Sequence, residues 1–96
     1  MVQIIWAKRA ITDLDSISKY IALDSEYAAQ KFIQELVKKA NTLLLHPEKG
    51  RPIPEKNITR NYRQILHKSY RIIYKIEKKS IVVLTVYHQK KLLSKI

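Results

Sequence analysis

Residues 62–88 read YRQILHKSYRIIYKIEKKSIVVLTVYH and contain three segments that are rich in Ile, Val and Tyr. These segments, 62–66, 70–76 and 80–88, are separated by short polar gaps at 67–69 and 77–79. β-Branched and aromatic residues favour strands, and gaps this short join antiparallel neighbours. We therefore predict a three-strand antiparallel meander in the second half of the chain.

The first half of the chain has the periodicity of helices. Residues 2–6 alternate weakly and predict a short strand, which is followed by a helix over 8–23. The apolar residues of this helix recur every three or four positions and so share one side. They are Ala10, Leu14, Ile17 and Ile21, with Asp13, Asp15 and Lys19 predicted on the solvent side.

A second helix is predicted from the break at residues 24–26 to about residue 45. Ser25 can cap its first turn, and Pro47 followed by Gly50 ends it. Because the connection is short, the two helices should form an antiparallel hairpin. The apolar stripe of the second helix comprises Ala29, Phe32, Ile33, Leu36, Ala40, Leu43 and Leu44.

Residues 46–61 contain all three prolines and the only glycine, and they predict a loop. The expected fold class is α+β, with an N-terminal strand, a two-helix hairpin and a meander packed on the helices. A chain of 96 residues forms one domain, 1–96, with 90–96 as a final helical turn or a basic tail. The predicted core joins the helical stripes to one face of residues 81–87 and to Val2, Ile4, Ile72, Tyr74 and Ile76.

The excess positive charge lies entirely in the second half. Residues 1–48 carry six Lys or Arg and six Asp or Glu, whereas residues 49–96 carry thirteen and two, so the halves have net charges of 0 and +11. A field of this sign attracts polyanions, and nucleic acid is the default partner because binding releases its counterions.

The composition also excludes several classes of function. The absence of cysteine excludes disulfides, thiolate metal sites and a cysteine nucleophile. The three histidines are too far apart in the sequence for a usual ligand spacing, so we expect no metal and no cofactor. No stretch approaches the roughly 20 apolar residues of a membrane span, and we expect a soluble, cytoplasmic protein without a membrane partner.

Period two in residues 70–76 places Arg71, Ile73 and Lys75 on one face, which we predict to be the wetter one. Whether Arg71 shares that face with Arg63 and His88 depends on the register, which the sequence does not fix. A shared face would present a cationic surface to a phosphate backbone, whereas the plainer interpretation is a solvated sheet face.

Two further side chains are candidates for proton transfer. His88 ends the apolar run 81–87, and it can exchange a proton near neutral pH or bond a nearby carbonyl as a structural residue. Glu55 is one of two acids in the basic half and lies on the loop near Arg51, Lys56 and Arg60. These neighbours favour a salt bridge, with proton acceptance as the alternative.

The order of the motifs resembles the RelE/ParE superfamily of bacterial toxins over nearly the whole chain. The motifs are Gly50-Arg51-Pro52 with Pro54-Glu55, then Tyr70-Arg71-Ile72-Ile73-Tyr74, then Val86-Tyr87-His88 followed by Lys90 and Leu92. The resemblance implies the toxin of a type II toxin–antitoxin pair, with a cognate antitoxin protein that covers its basic surface.

The superfamily contains two activities. RelE-like and YoeB-like toxins cut mRNA on the ribosome without a metal, and ParE-like toxins inhibit DNA gyrase. The resemblance favours the mRNA endonuclease because the gyrase inhibitors more often have another residue at the position of Arg71, so the ribosome and mRNA are the expected targets and gyrase is the alternative. A non-catalytic basic RNA-binding module is a third possibility.

For the endonuclease, the resemblance implies particular roles. Glu55 would be the base, Arg71 would stabilise the phosphate and His88 would be the acid, because the position after it is Gln89 where YoeB-like toxins have tyrosine. The predicted RNA-binding residues are Arg51, Lys56, Arg63, Lys90 and Lys91.

Overall fold

The computed structural model describes residues 2–58 and 60–91. It begins with strand β1 (Gln3–Trp6) and continues with helices α1 (Lys8–Ala22) and α2 (Glu26–Asn41). The side-chain oxygen of Ser25 accepts a hydrogen bond from the backbone N–H of Ala28 at 3.1 Å, so the predicted cap of α2 is confirmed. The two helices form the predicted hairpin.

The second helix ends earlier than the sequence predicts. After Asn41 the chain tightens into a 3₁₀ turn, Thr42–Leu44, and a second such turn covers Pro47–Lys49. The hydroxyl of Thr42 donates to the carbonyl of Lys39 at 2.6 Å and stabilises this tightening. A 3₁₀ turn has about three residues per turn, so the apolar stripe is interrupted and Leu44 is exposed, which corrects its assignment to the core.

The sheet has five strands in the order β1-β5-β4-β3-β2. Strands β3 (Arg63–His67), β4 (Tyr70–Ile76) and β5 (Ser80–His88) form the predicted antiparallel meander. Strand β2 (Arg51–Pro52) is a two-residue addition inside the predicted loop and pairs antiparallel with β3. Strand β1 pairs parallel with β5 at the other edge.

The core lies between the helix hairpin and one face of the sheet. Its fully buried residues include Leu36, Leu43, Ile72, Tyr74, Ile81 and Val83, with Ile4, Trp6 and Phe32 packed against them. Two predicted core residues, Val2 and Ile76, are exposed instead. Val2 precedes the edge strand, and Ile76 ends β4 in an open depression beside Leu45 and Pro47.

Tyr74 fixes the start of the loop that follows the helices. Its hydroxyl donates to the carbonyl of Pro47 at 2.7 Å and accepts from the backbone N–H of Gly50 at 3.0 Å. Burial raises the pKa of the Tyr74 phenol above its usual value. The backbone of Gly50 lies so close that an added Cβ would collide with the Tyr74 hydroxyl and lie 2.7 Å from the carbonyl of Gln64.

In the described part of the chain, α1 and α2 are both too short and too polar to cross a membrane. The predicted tail falls partly outside this part, since residues 92–96 are not described.

Candidate functional site

Arg71 and Glu55 form a buried ion pair on the sheet face away from the helices. Both terminal nitrogens of the Arg71 guanidinium donate to the Glu55 carboxylate, each at 2.7 Å. The third donor group, Nε, bonds the side-chain oxygen of Gln64 at 2.7 Å. The two charged side chains are only 5% and 7% exposed, and each of the three guanidinium nitrogens donates to a protein oxygen.

Apolar side chains surround this ion pair. The described loop residues, 53–58 and 60–62, run across the outer face of the sheet and bring Ile53, Ile58 and Tyr62 against Ile73, Leu84 and Tyr87. The prediction that Arg71 and Ile73 lie on the wetter face is therefore wrong, because the loop covers them. Glu55 does form a salt bridge, but its partner is a strand residue rather than one of the loop cations.

His88 lies on the opposite face of the sheet from Arg71. It pairs with Tyr70 across β4 and β5, and the two rings meet edge to face with centroids 5.2 Å apart. Since Tyr70 and Arg71 are successive strand residues, their side chains point to opposite faces. The structure therefore brings together Glu55 and Arg71 and places His88 apart from them.

The ring of His88 has a defined hydrogen-bonding state. Its Nδ1 accepts the backbone N–H of Lys90 at 3.1 Å, so in the neutral ring the proton is on Nε2. The ring borders a pocket of about 430 Å³ between α1 and the end of β5. Side chains of Tyr20, Tyr70 and Lys91 also line this pocket.

The predicted RNA-binding residues divide into two groups. Arg63 is half-buried and donates to the carbonyls of Gly50 at 2.8 Å and Glu48 at 3.5 Å, so it stabilises the loop before β2. The other four are exposed and do not contact Arg71 through any bond among the described residues. They are Arg51, Lys56, Lys90 and Lys91.

The sequence pattern did not reveal the role of Asp13. It was predicted on the solvent side of α1, yet its carboxylate accepts hydrogen bonds from the Thr85 hydroxyl and, at 3.0 Å, from the backbone N–H of Val86. The register of β4 against β5 shifts at the neighbouring pair Ile73/Tyr74. Asp13 thus ties the helix to an irregular point of the sheet, and a helical wheel gives no signal for such a bond.

Glu35 was likewise missed. Its carboxylate lies 3.2 Å from Nε2 of His67 and 3.3 Å from the ammonium of Lys68. The hydrogen bond with His67, followed by that with Lys68, lowers the pKa of Glu35 below its usual value. This cluster joins α2 to the turn between β3 and β4, where Lys68 has a positive φ of 52°.

No group of three or more metal-ligating side chains is close enough to hold a metal ion within residues 2–58 and 60–91.

The chain is similar to known proteins in both sequence and fold. Residues 4–93 match the family described as ParE toxin of type II toxin-antitoxin system, parDE. The chain is 41% identical to Toxin RelE2 of Caulobacter vibrioides over 51 residues, which are 53% of this chain and 58% of that protein. The chain thus spans somewhat more than half the length of this curated relative.

The fold is similar to that of a chain in the structure entitled Chromosomal ParDE TA system from P. aeruginosa. The TM-score is 0.77 at 23% sequence identity, with 92% of this chain and 96% of that chain covered. At this identity the match establishes the shared fold.

Proposed function

This chain belongs to the ParE toxin family of type II toxin–antitoxin systems, and from that premise we propose that it arrests growth by binding a protein target without cutting RNA. The family resemblance implies that this target is DNA gyrase. The alternative activity in the superfamily, mRNA cleavage on the ribosome, was favoured by the sequence, and the state of Arg71 is the observation that changes this preference.

A metal-independent nuclease must activate a ribose 2′-hydroxyl and stabilise the charge that builds on the phosphate. Arg71 is the residue predicted to do the second task. Its three donor groups already bond Glu55 and Gln64, and the Glu55 carboxylate cancels its charge. A phosphate would have to displace a buried bidentate carboxylate to reach it, and Glu55 would have to leave the same pair to act as a base. This supports a structural role for both residues.

The proposal is tested by two assays on the same preparation. Supercoiling of relaxed plasmid by purified gyrase should decrease as the protein is added, while primer extension on an mRNA translated in a purified system should show intact message. Cleavage at the codon in the ribosomal A site, with unchanged supercoiling, would contradict the proposal. Activity in neither assay would favour the non-catalytic RNA-binding module.

A double variant, Glu55→Leu with Arg71→Met, separates the roles of these residues. It removes the predicted base and the predicted phosphate ligand and replaces the ion pair with apolar side chains of similar length. If the toxin acts by binding, the folded double variant should still arrest growth. Loss of growth arrest in a variant that circular dichroism shows to be folded would support the nuclease instead. Lys78→Met with Glu77→Leu, in the exposed turn, is the matched control.

The mRNA endonuclease is kept as a second candidate because of His88. Its Nδ1 accepts the backbone N–H of Lys90, so Nε2 is the ring nitrogen that would hand a proton to a leaving oxygen once the ring is protonated. Lys90 is exposed beside it, and Lys91 lines the same pocket. Replacing His88 with Ala should then abolish message cleavage, and replacing it with Gln should not restore it.

We also propose a cognate antitoxin as partner, acting with the toxin in the cytoplasm. A toxin with a net charge of +11 is expected to attract an acidic or groove-filling partner over its basic half. The association rate constant should fall as salt is added, and a rate independent of salt would indicate a mainly apolar interface. Stopped-flow mixing of the two purified proteins measures it.

A further inference from the structure

A cleft beside α2 contains three basic side chains, none of which was predicted to be catalytic. It has a volume of about 340 Å³ and lies between the end of α2 and strands β2 and β3. Three of its six lining residues are basic and none is acidic. The residues are Lys39, Lys49, Arg51, Gln64, Ile65 and Leu66.

The polar side chains of this cleft are positioned by bonds within the protein. The ammonium of Lys49 donates to the hydroxyl of Thr42 at 2.9 Å, which holds it beside the end of α2 with further N–H donors to spare. Arg51 pairs directly with Gln64 across β2 and β3, so their side chains share a face. The side-chain oxygen of Gln64 accepts a hydrogen bond from Nε of Arg71 at 2.7 Å, so the NH₂ group of the same amide is the part that can donate to a ligand.

Within residues 2–58 and 60–91, the three cations of the cleft make no ion pair. The acids Asp15, Glu35 and Glu77 pair with cations outside the cleft, and Glu55 pairs with Arg71. The cleft therefore presents three positive charges and an amide donor at one place on the surface.

We propose that this cleft binds phosphate groups of a nucleic-acid backbone. Its four polar side chains offer donors, and the one acceptor among them, the Gln64 oxygen, is taken by Arg71. A phosphodiester brings only acceptors to such a site, whereas an acidic peptide also brings backbone N–H groups that need acceptors. The net charge of +11 adds long-range attraction for the same ligand. This inference does not depend on which target the toxin inhibits.

The test is fluorescence anisotropy of the full chain with two labelled probes of equal length, a single-stranded RNA and a duplex DNA, over a series of salt concentrations. The cleft variant is Lys39→Gln/Lys49→Gln/Arg51→Gln. The matched control, Lys8→Gln/Lys78→Gln/Lys79→Gln, removes the same charge at exposed positions away from the cleft. Circular dichroism establishes that both variants are folded.

The cleft variant should weaken binding by at least about tenfold and reduce the slope of log affinity against log salt by about 2 for the RNA and about 3 for the duplex. The control should change affinity by less than about threefold. Equal losses in both variants would overturn the proposal, because they would show attraction to overall charge alone. Tighter binding of a polyglutamate probe than of either nucleic acid would also overturn it and assign the cleft to an acidic protein. The better of the two nucleic-acid probes identifies the source of the phosphate.

Discussion

The buried ion pair predicts an unusual response to mutation. In Arg71→Met the Glu55 carboxylate stays between the loop and the sheet and loses its bidentate partner. Breaking a buried pair from one side costs about 3–5 kcal/mol, because the remaining charge is uncompensated. A domain of this size has a free energy of unfolding of about 5–15 kcal/mol, so the variant should lose a large part of its stability.

Removing both charges should restore most of that stability. The double variant Glu55→Leu/Arg71→Met leaves no charge on the outer face, and such replacements are often neutral or stabilising. We expect its free energy of unfolding to lie within about 1.5 kcal/mol of the wild-type value, above that of either single variant. The side chain of Gln64 can then bond water, since it borders the open cleft.

Urea unfolding followed by fluorescence measures all four proteins. The single tryptophan, Trp6, lies in β1 against the core and reports loss of the sheet. Stability losses that simply add in the double variant would refute the reasoning, because additivity is the behaviour of residues that do not interact. A single variant as stable as the wild type would show that the loop opens and hydrates the pair.

Four further predictions concern contacts outside the ion pair. Tyr74→Phe should lower the free energy of unfolding by about 1–3 kcal/mol, because it leaves two backbone groups of the loop without their partner, and urea titration measures the loss. Gly50→Ala should destabilise the domain by about 1–3 kcal/mol in the same titration, since its Cβ has no space beside the tyrosine hydroxyl, and an unchanged midpoint would contradict that crowding. Asp13→Ala should lower the free energy of unfolding by about 2–3 kcal/mol and speed amide exchange near the end of β5. A loss of stability without faster exchange would argue against the hydrogen bonds that join Asp13 to this strand. Glu35 has a lowered pKa in the folded state, so it contributes stability at pH values above its unfolded pKa of 4.5, and this stability is lost as the pH falls through the folded pKa. Glu35→Gln should therefore flatten the plot of melting temperature against pH in that acidic range. An unchanged plot would exclude this group as the cause.

Much of the fold could be predicted from short-range patterns. The stripes of α1 and α2 and the three main strands follow from side-chain periodicity, which depends on the residue types alone. The errors fall where an element ends or where tertiary structure overrides the period. Leu44 lies outside the buried stripe because the chain tightens into a 3₁₀ turn after α2. Val2 and Ile76 are exposed because they lie at strand ends beyond the helix layer.

The candidate site was harder to predict than the fold. The alternation of side chains correctly placed Arg71 on the face away from the helices, but it could not show that Ile53, Ile58 and Tyr62 cover that face. The separation of His88 from Arg71 depends on the register of β4 against β5, which adjacent residues do not encode. Lys49 and Arg51 are close in sequence, but Lys39 lines the same cleft only because the chain folds back past the end of α2, so no local motif joins all three.

The parallel pairing of β1 with β5 has a consequence for synthesis of the protein. Gln3 is opposite Ser80, so β1 cannot pair until β5 has been synthesised. Strand β5 is also the partner of β4. Contacts this distant in sequence slow folding, and a growing chain has no complete sheet until residue 88 has been made. A product that stops before β5 should therefore lack the pairing partner of both β1 and β4 and be unable to complete the sheet.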